Sequence, residues 1–135
     1  MKGKLTLVLG GSRSGKSEFA EKMAERSGKN LIYIATAAVR DEEMAERVKL
    51  HRKRRPENWV TVEEEIDVLG VLSRGGKGDV FLLDCATIWL TNLLFNEQHS
   101  GNERDRNETR VLEEVARLTE TVDKGLDLIV VSNEV

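Results

Sequence analysis

The chain has 135 residues, the size of one ordinary domain. Lys and Arg number 21 against 24 Asp and Glu, and the resulting net charge of −3 argues against a surface built throughout for nucleic acid. Hydrophobic residues at 39% suffice for a core and are too many for a disordered chain, yet no run of about 18 apolar residues offers a membrane span.

Residues 5–9 form an apolar run of strand length that ends at Gly10 and Gly11, too short for a signal-peptide core. A helix is expected from Ser17 to about Ser27, with Phe19, Ala20, Met23 and Ala24 at helical spacing and Gly28 as its C-cap. Residues 31–35 read as a second buried strand, rich in β-branched and aromatic side chains. Asp41 caps an expected helix in which Met44, Val48 and His51 share a face, and Pro56 prevents its continuation. A short strand is expected over 59–62. Ile66, Leu69 and Leu72 then suggest a helix ended by Gly75 and Gly76. Residues 80–84 form the third clear strand, 88–95 an apolar helix and 97–107 a polar loop. Val111, Leu112, Val115, Leu118 and Val122 trace one stripe of a long helix that precedes a last strand over 126–131.

Near-continuous apolar strands alternating with helices indicate an α/β, P-loop NTPase-like fold: a mainly parallel sheet with helices on both faces. No repeat or low-complexity linker divides the chain, so residues 1–135 read as one nucleotide-binding domain. The last strand is followed by only four residues, where a covering element is expected, so the natural protein is expected to continue past Val135. A single cysteine, Cys85, permits no internal disulfide, and the cytoplasm is the expected compartment.

Gly10-Gly11-Ser12-Arg13-Ser14-Gly15-Lys16-Ser17 satisfies G-x-x-x-x-G-K-[ST], between a strand and a helix as the motif requires. Glycines let the backbone curl so that successive N–H groups converge on phosphate oxygens at the positive end of the helix dipole. Lys16 brings a cation to the β- and γ-phosphates, and the Ser17 hydroxyl is suited to ligate Mg²⁺. The competing reading is a glycine-rich turn with no ligand; both flanks count against it. Asp84, ending an apolar strand expected beside this loop, is the candidate second metal-site residue. An ordinary strand-ending aspartate is its plainer reading.

A phosphate loop implies a nucleoside triphosphate and stops there. The Asn-Lys-x-Asp that reads guanine in switch GTPases is not found after the last strand, where Ser132-Asn133-Glu134-Val135 stands instead. A small-molecule kinase and a nucleotidyltransferase both stay open. The segment from His51 through Arg52, Lys53, Arg54 and Arg55 to Trp59 has three readings. It is a solvated basic helix end complementing the dipole, a nucleic-acid patch, or a nucleophile in a cationic setting. In the third reading, neighbouring cations disfavour protonation of the His51 imidazole and stabilise charge on a phosphorus under attack. Aromatic residues at 4% and the acidic balance make the nucleic-acid module the weakest of the three.

Together with Tyr33-Ile34-Ala35-Thr36, Asp41-Glu42-Glu43-Met44, His51-Arg52, Arg55-Pro56, Trp59 and Thr61-Val62-Glu63, the loop resembles one family across nearly the whole chain. Leu83-Asp84-Cys85, Thr91-Asn92-Leu93-Leu94 and 132–135 fit the same pattern. That family is the bifunctional adenosylcobinamide kinase/adenosylcobinamide-phosphate guanylyltransferases. The resemblance implies two reactions: phosphorylation of the aminopropanol hydroxyl of adenosylcobinamide by ATP or GTP, then transfer of GMP from GTP to that phosphate. It implies that His51 is the guanylylated histidine and that Gly10 to Ser17 hold the triphosphate, with Lys16 catalytic. Base and ribose contacts fall at Ala38, Val39 and Arg40 and near Arg55. It further implies Mg²⁺, a corrinoid substrate, no nucleic acid, and a homo-oligomer, a trimer. The alternative within enzymes is a simple P-loop kinase that forms no covalent intermediate.

Overall fold

A computed structural model describes residues 3–11, 15–37, 46, 59–95 and 103–133. Its frame is a sheet of five strands: β1 (Leu5–Gly10), β2 (Asn30–Ala35), β3 (Val60–Glu63), β4 (Asp79–Asp84) and β5 (Asp127–Asn133). All pairings are parallel, in the order β1-β5-β4-β2-β3. Among the described residues four helices are delimited between them: α1 (Lys16–Arg26), α2 (Val68–Leu72), α3 (Ala86–Leu94) and α4 (Glu103–Asp123).

The apolar run of β4 is continuous because both of its faces are covered. Val80 and Leu82 face α1 and join Val8, Leu31, Tyr33, Ile129 and Val131 around Ala20 and Ala24. Phe81 and Leu83 face the other way, into a cluster with Leu128 and Val130 from β5 and Trp89 and Leu93 from α3. Val68, Val71 and Leu72 of α2 and Leu118 and Val122 of α4 close that layer. The Trp89 indole N–H is satisfied inside it by the Ile66 carbonyl at 2.9 Å. The expected class, a parallel sheet with helices on both faces, is therefore the observed one.

Several boundaries move, each for a physical reason. The polar stretch expected to be loop over 97–107 is helical from Glu103, because polarity alone does not end a helix. Glu and Arg are good helix formers, and neither Gly nor Pro occurs between Gly101 and Gly125. Within that helix Leu118 and Val122 are buried and Val111 packs partly buried against the same cluster, whereas Leu112 and Val115 are 73% and 41% exposed, so the expected stripe is interrupted at those two positions. Helix α2 ends at Leu72 rather than at the glycines, and Gly75 has a packing role: a Cβ there would lie 2.2 Å from the Phe81 ring. Helix α3 starts two residues before the expected Ile88, and β3 covers 60–63 in place of 59–62. The expectation that β1 is a buried strand fails for alternate residues. Val8 is buried under α1, but Leu5, Leu7 and Leu9 are 45–58% exposed on a sheet edge whose second face no described helix covers. Of the helix expected from Asp41 to His51, only Glu46 lies among the described residues, and it is helical.

Candidate functional site

In a parallel sheet with helical crossovers the carboxyl ends of the strands share one edge, and loops leaving that edge meet ligands. Gly10, the last residue of β1, pairs with Asn133 of β5, and Val131 of β5 pairs with both Val8 and Asp84. Asp84 is therefore at the ligand edge, but β5 stands between β4 and β1. The sequence expectation that the Asp84 strand lies directly beside the phosphate loop is corrected by one strand, about 5 Å of additional separation.

Alternation decides on which side of the sheet Asp84 points. It shares parity with Leu82 and Val80, whose side chains pack under α1, and so lies on the face that carries Lys16 and Ser17. Asp84 and Lys16 both act on the Cys85 thiol. Burial pushes that thiol up from its ordinary range, and the Asp84 carboxylate adds to the rise. The amides of Ile88 and Thr87, and the Lys16 ammonium, oppose it. A buried neutral thiol is not a nucleophile.

At the loop itself, Gly15 adopts φ 80°, a left-handed conformation that glycine takes without a Cβ clash. It sits at the N-cap of α1 and its carbonyl accepts the Phe19 amide at 3.0 Å. Glycine offers no side-chain cap, which leaves the first-turn amides of α1 for an anion. The Lys16 ammonium donates to the Gly11 carbonyl at 2.9 Å, so its side chain folds back over the loop. Gly10, Gly11, Gly15, Lys16, Ser17 and Asp84 are thus brought to one edge. Ser12, Arg13, Ser14, Ala38, Val39, Arg40, His51 and Arg55 lie outside the described residues.

The donor set suits Mg²⁺. Ser17 and Asp84 would supply a hydroxyl and one carboxylate, hard oxygen donors of the kind Mg²⁺ takes beside several waters and phosphate.

The edge also holds polar residues to which sequence pattern assigned no role. Thr36, immediately after β2, is fully buried. Its hydroxyl accepts the Cys85 amide at 2.9 Å and reaches the Cys85 and Asp84 carbonyls at 2.9 and 3.2 Å. Asn92 of α3 donates to the carbonyls of Thr36 and Glu65, both at 3.0 Å, tying together the chain leaving β2 and the chain leaving β3. The Tyr33 hydroxyl donates to the Asp84 carboxylate. Thr87 and Ser132 share a hydrogen bond at 3.0 Å and both line an apolar cavity of about 480 Å³ between α3 and α4. Each is a common residue type; only apposition across neighbouring strands distinguishes them.

Residues 6–135 match the family model described as cobinamide kinase / cobinamide phosphate guanyltransferase. A bifunctional adenosylcobalamin biosynthesis protein CobP of Pseudomonas aeruginosa is 47% identical over 102 residues, which is 73% of this chain and 59% of that protein. The CobU protein of Escherichia coli, with the same description, is 42% identical over 106 residues, 77% of this chain and 56% of its own length. That of Salmonella typhimurium is 41% identical over 93 residues, 67% of this chain and 50% of its own. The matches thus span between half and three-fifths of these curated relatives. The crystal structure of a RadB recombinase overlaps with a TM-score of 0.49 at 20% identity, covering 98% of this chain and 62% of that one. With the phosphate-loop geometry in place and residues 6–135 of this chain matched by the family model, the chain belongs to the cobinamide kinase / cobinamide phosphate guanyltransferase family.

Proposed function

We propose that the chain carries the nucleotide-binding core of an enzyme that acts twice on one corrinoid side chain. In the first reaction the aminopropanol hydroxyl of adenosylcobinamide attacks the γ-phosphorus of ATP or GTP. The new O–P bond replaces the β–γ bridge, the hydroxyl proton is lost, and nucleoside diphosphate leaves. In the second, a ring nitrogen of neutral His51 attacks the α-phosphorus of GTP and pyrophosphate leaves. A phosphate oxygen of adenosylcobinamide phosphate then displaces the histidine, giving adenosylcobinamide-GDP and regenerating the imidazole.

The observation that carries this reading is the β1–α1 loop: Gly15 in its left-handed conformation, the uncapped start of α1 and Lys16 arched back to Gly11. In the proposed roles, first-turn amides bind the triphosphate and the Lys16 ammonium stabilises charge developing on the departing phosphates. Ser17 and Asp84 would hold Mg²⁺, which when bound neutralises phosphate charge and orients the triphosphate for in-line attack. Ser12, Arg13 and Ser14 complete the loop, while Ala38, Val39, Arg40 and Arg55 contact base and ribose. Chain length allows His51 to reach the ligand edge. Nine Cα steps separate it from Val60, a reach of up to about 30 Å, whereas the four residues of β3 rise only about 13 Å. Family resemblance further supports a homo-oligomer, a trimer, and the single cysteine, Cys85, supports a cytoplasmic setting.

Incubation with GTP labelled at the α-phosphate, followed by mapping of the labelled residue, tests the covalent step. Label on His51, stable to base and lost in acid, is expected. His51→Ala is predicted to abolish labelling while leaving phosphorylation of adenosylcobinamide largely intact. Equal loss of both activities would give His51 a structural or binding role, and an unlabelled protein with kinase activity would leave a simple P-loop kinase.

A further inference from the structure

Tyr33 does more than its place in the core requires. The residue is 4% exposed, clustered with Leu31, Val80, Leu82 and Ile129 under α1, a position Phe would fill equally well. What Phe lacks is the hydroxyl, and here the hydroxyl reaches the ligand edge and donates to Asp84 Oδ2. Register explains how. Tyr33 pairs with Leu82 and Ala35 with Asp84, so the phenol rises diagonally by one same-face step, within reach of a long aromatic side chain.

A carboxylate with one oxygen held this way loses the freedom to swing among rotamers. The hydrogen bond is also charge-assisted, the stronger kind. Its donor sits on a strand flanked by two others, β4 and β3, so the donor itself is rigidly placed.

We infer that Tyr33 is a positioning residue for Asp84: the phenol holds Oδ2 so that the second carboxylate oxygen stays directed for the divalent cation that accompanies the triphosphate. This rests on the metal role of Asp84 proposed above and goes beyond it by assigning a residue outside the phosphate loop. In this role Tyr33 acts through Asp84.

The test is nucleotide binding, read by calorimetry with a non-hydrolysable GTP analogue while Mg²⁺ is varied against EDTA. Tyr33→Phe keeps the ring, and its thermal midpoint checks that the fold survives. The Mg²⁺ concentration for half-maximal enhancement of binding should rise about tenfold, the low end of the loss seen when a metal ligand loses its outer partner. Binding without Mg²⁺ should stay within about twofold of wild type, a split that a general loosening of the core would not produce. Asp84→Asn should remove the Mg²⁺ enhancement altogether, and adding Tyr33→Phe to it should change nothing further. An unchanged Mg²⁺ midpoint in Tyr33→Phe, with enhancement lost in Asp84→Asn, overturns the positioning role alone. Enhancement that persists in Asp84→Asn overturns the metal role of Asp84 and the role of Tyr33 with it.

Discussion

Replacing Thr36 by Val tests whether the clamp at the end of β2 is held by its hydroxyl or merely by its volume. Among the described residues Thr36 is the one polar side chain that is fully buried. Valine preserves its shape and removes both the acceptor used by the Cys85 amide and the donor shared by the Cys85 and Asp84 carbonyls. The carbonyls keep other partners: Cys85 accepts the Trp89 amide at 3.2 Å and Asp84 accepts the Thr36 amide at 3.1 Å. The amide of Cys85 therefore bears the cost, since it loses a buried 2.9 Å bond. Stripping a buried donor of its acceptor costs about 1–3 kcal/mol. For a chain of this size that lowers the melting midpoint by about 4–12 °C. Thr36→Ser keeps the hydroxyl and deletes one buried methyl, a loss of about 1 kcal/mol. Urea denaturation followed by circular dichroism should rank wild type above Ser and Ser above Val, although Ser is the smaller residue. A valine variant as stable as the serine variant would refute the hydrogen-bond argument and make Thr36 a matter of packing.

Two further outcomes concern titration. Cys85 is 3% exposed and its thiol is held above the usual range by burial, so a disulfide reagent at pH 8 should react at least about 100-fold more slowly with native protein than with protein in denaturant. Because the folded value is the raised one, the unfolded chain releases the proton first. The Cys85 contribution is whole below the unfolded thiol range and is lost as pH rises from there through the folded value, and Cys85→Ala should flatten that alkaline limb. Asp127 behaves oppositely: the Lys29 ammonium, with the Lys4 amide at 2.8 Å, holds its carboxyl below the usual range. Its contribution is whole above the unfolded carboxyl range and is lost as pH falls through the folded value. Asp127→Asn should therefore remove part of the acid limb of stability, by about 1 kcal/mol at most for so accessible a pair.

What the sequence made legible follows from the range of the forces involved. The phosphate loop is a local device: Gly15 must tolerate φ 80° and Lys16 must follow it within reach of the bend, so residue type and spacing suffice to reveal it. The two-sided burial of β4 is nearly as local, because a strand covered on both faces has to be apolar at every position. Strand order is not local. Nothing within residues 79–84 or 127–133 announces that β5 inserts between β1 and β4, or that β1 ends as an edge with Leu5, Leu7 and Leu9 exposed.

The polar scaffold at the ligand edge was hidden for the same reason. Tyr33 meets Asp84 across 51 residues, Thr36 meets Cys85 across 49, and Asn92 meets Thr36 across 56. Each is a common residue type whose purpose comes from its partner. Even so, Tyr33 carried a physical clue in its own sequence. A tyrosine inside an otherwise apolar buried strand must bring its hydroxyl to a polar neighbour, and near the carboxyl end of a parallel strand that neighbour lies at the ligand edge. A buried strand tyrosine close to that edge is therefore better read as a pointer toward the site than as one more apolar residue, a reading that the Mg²⁺ response of Tyr33→Phe puts to direct trial.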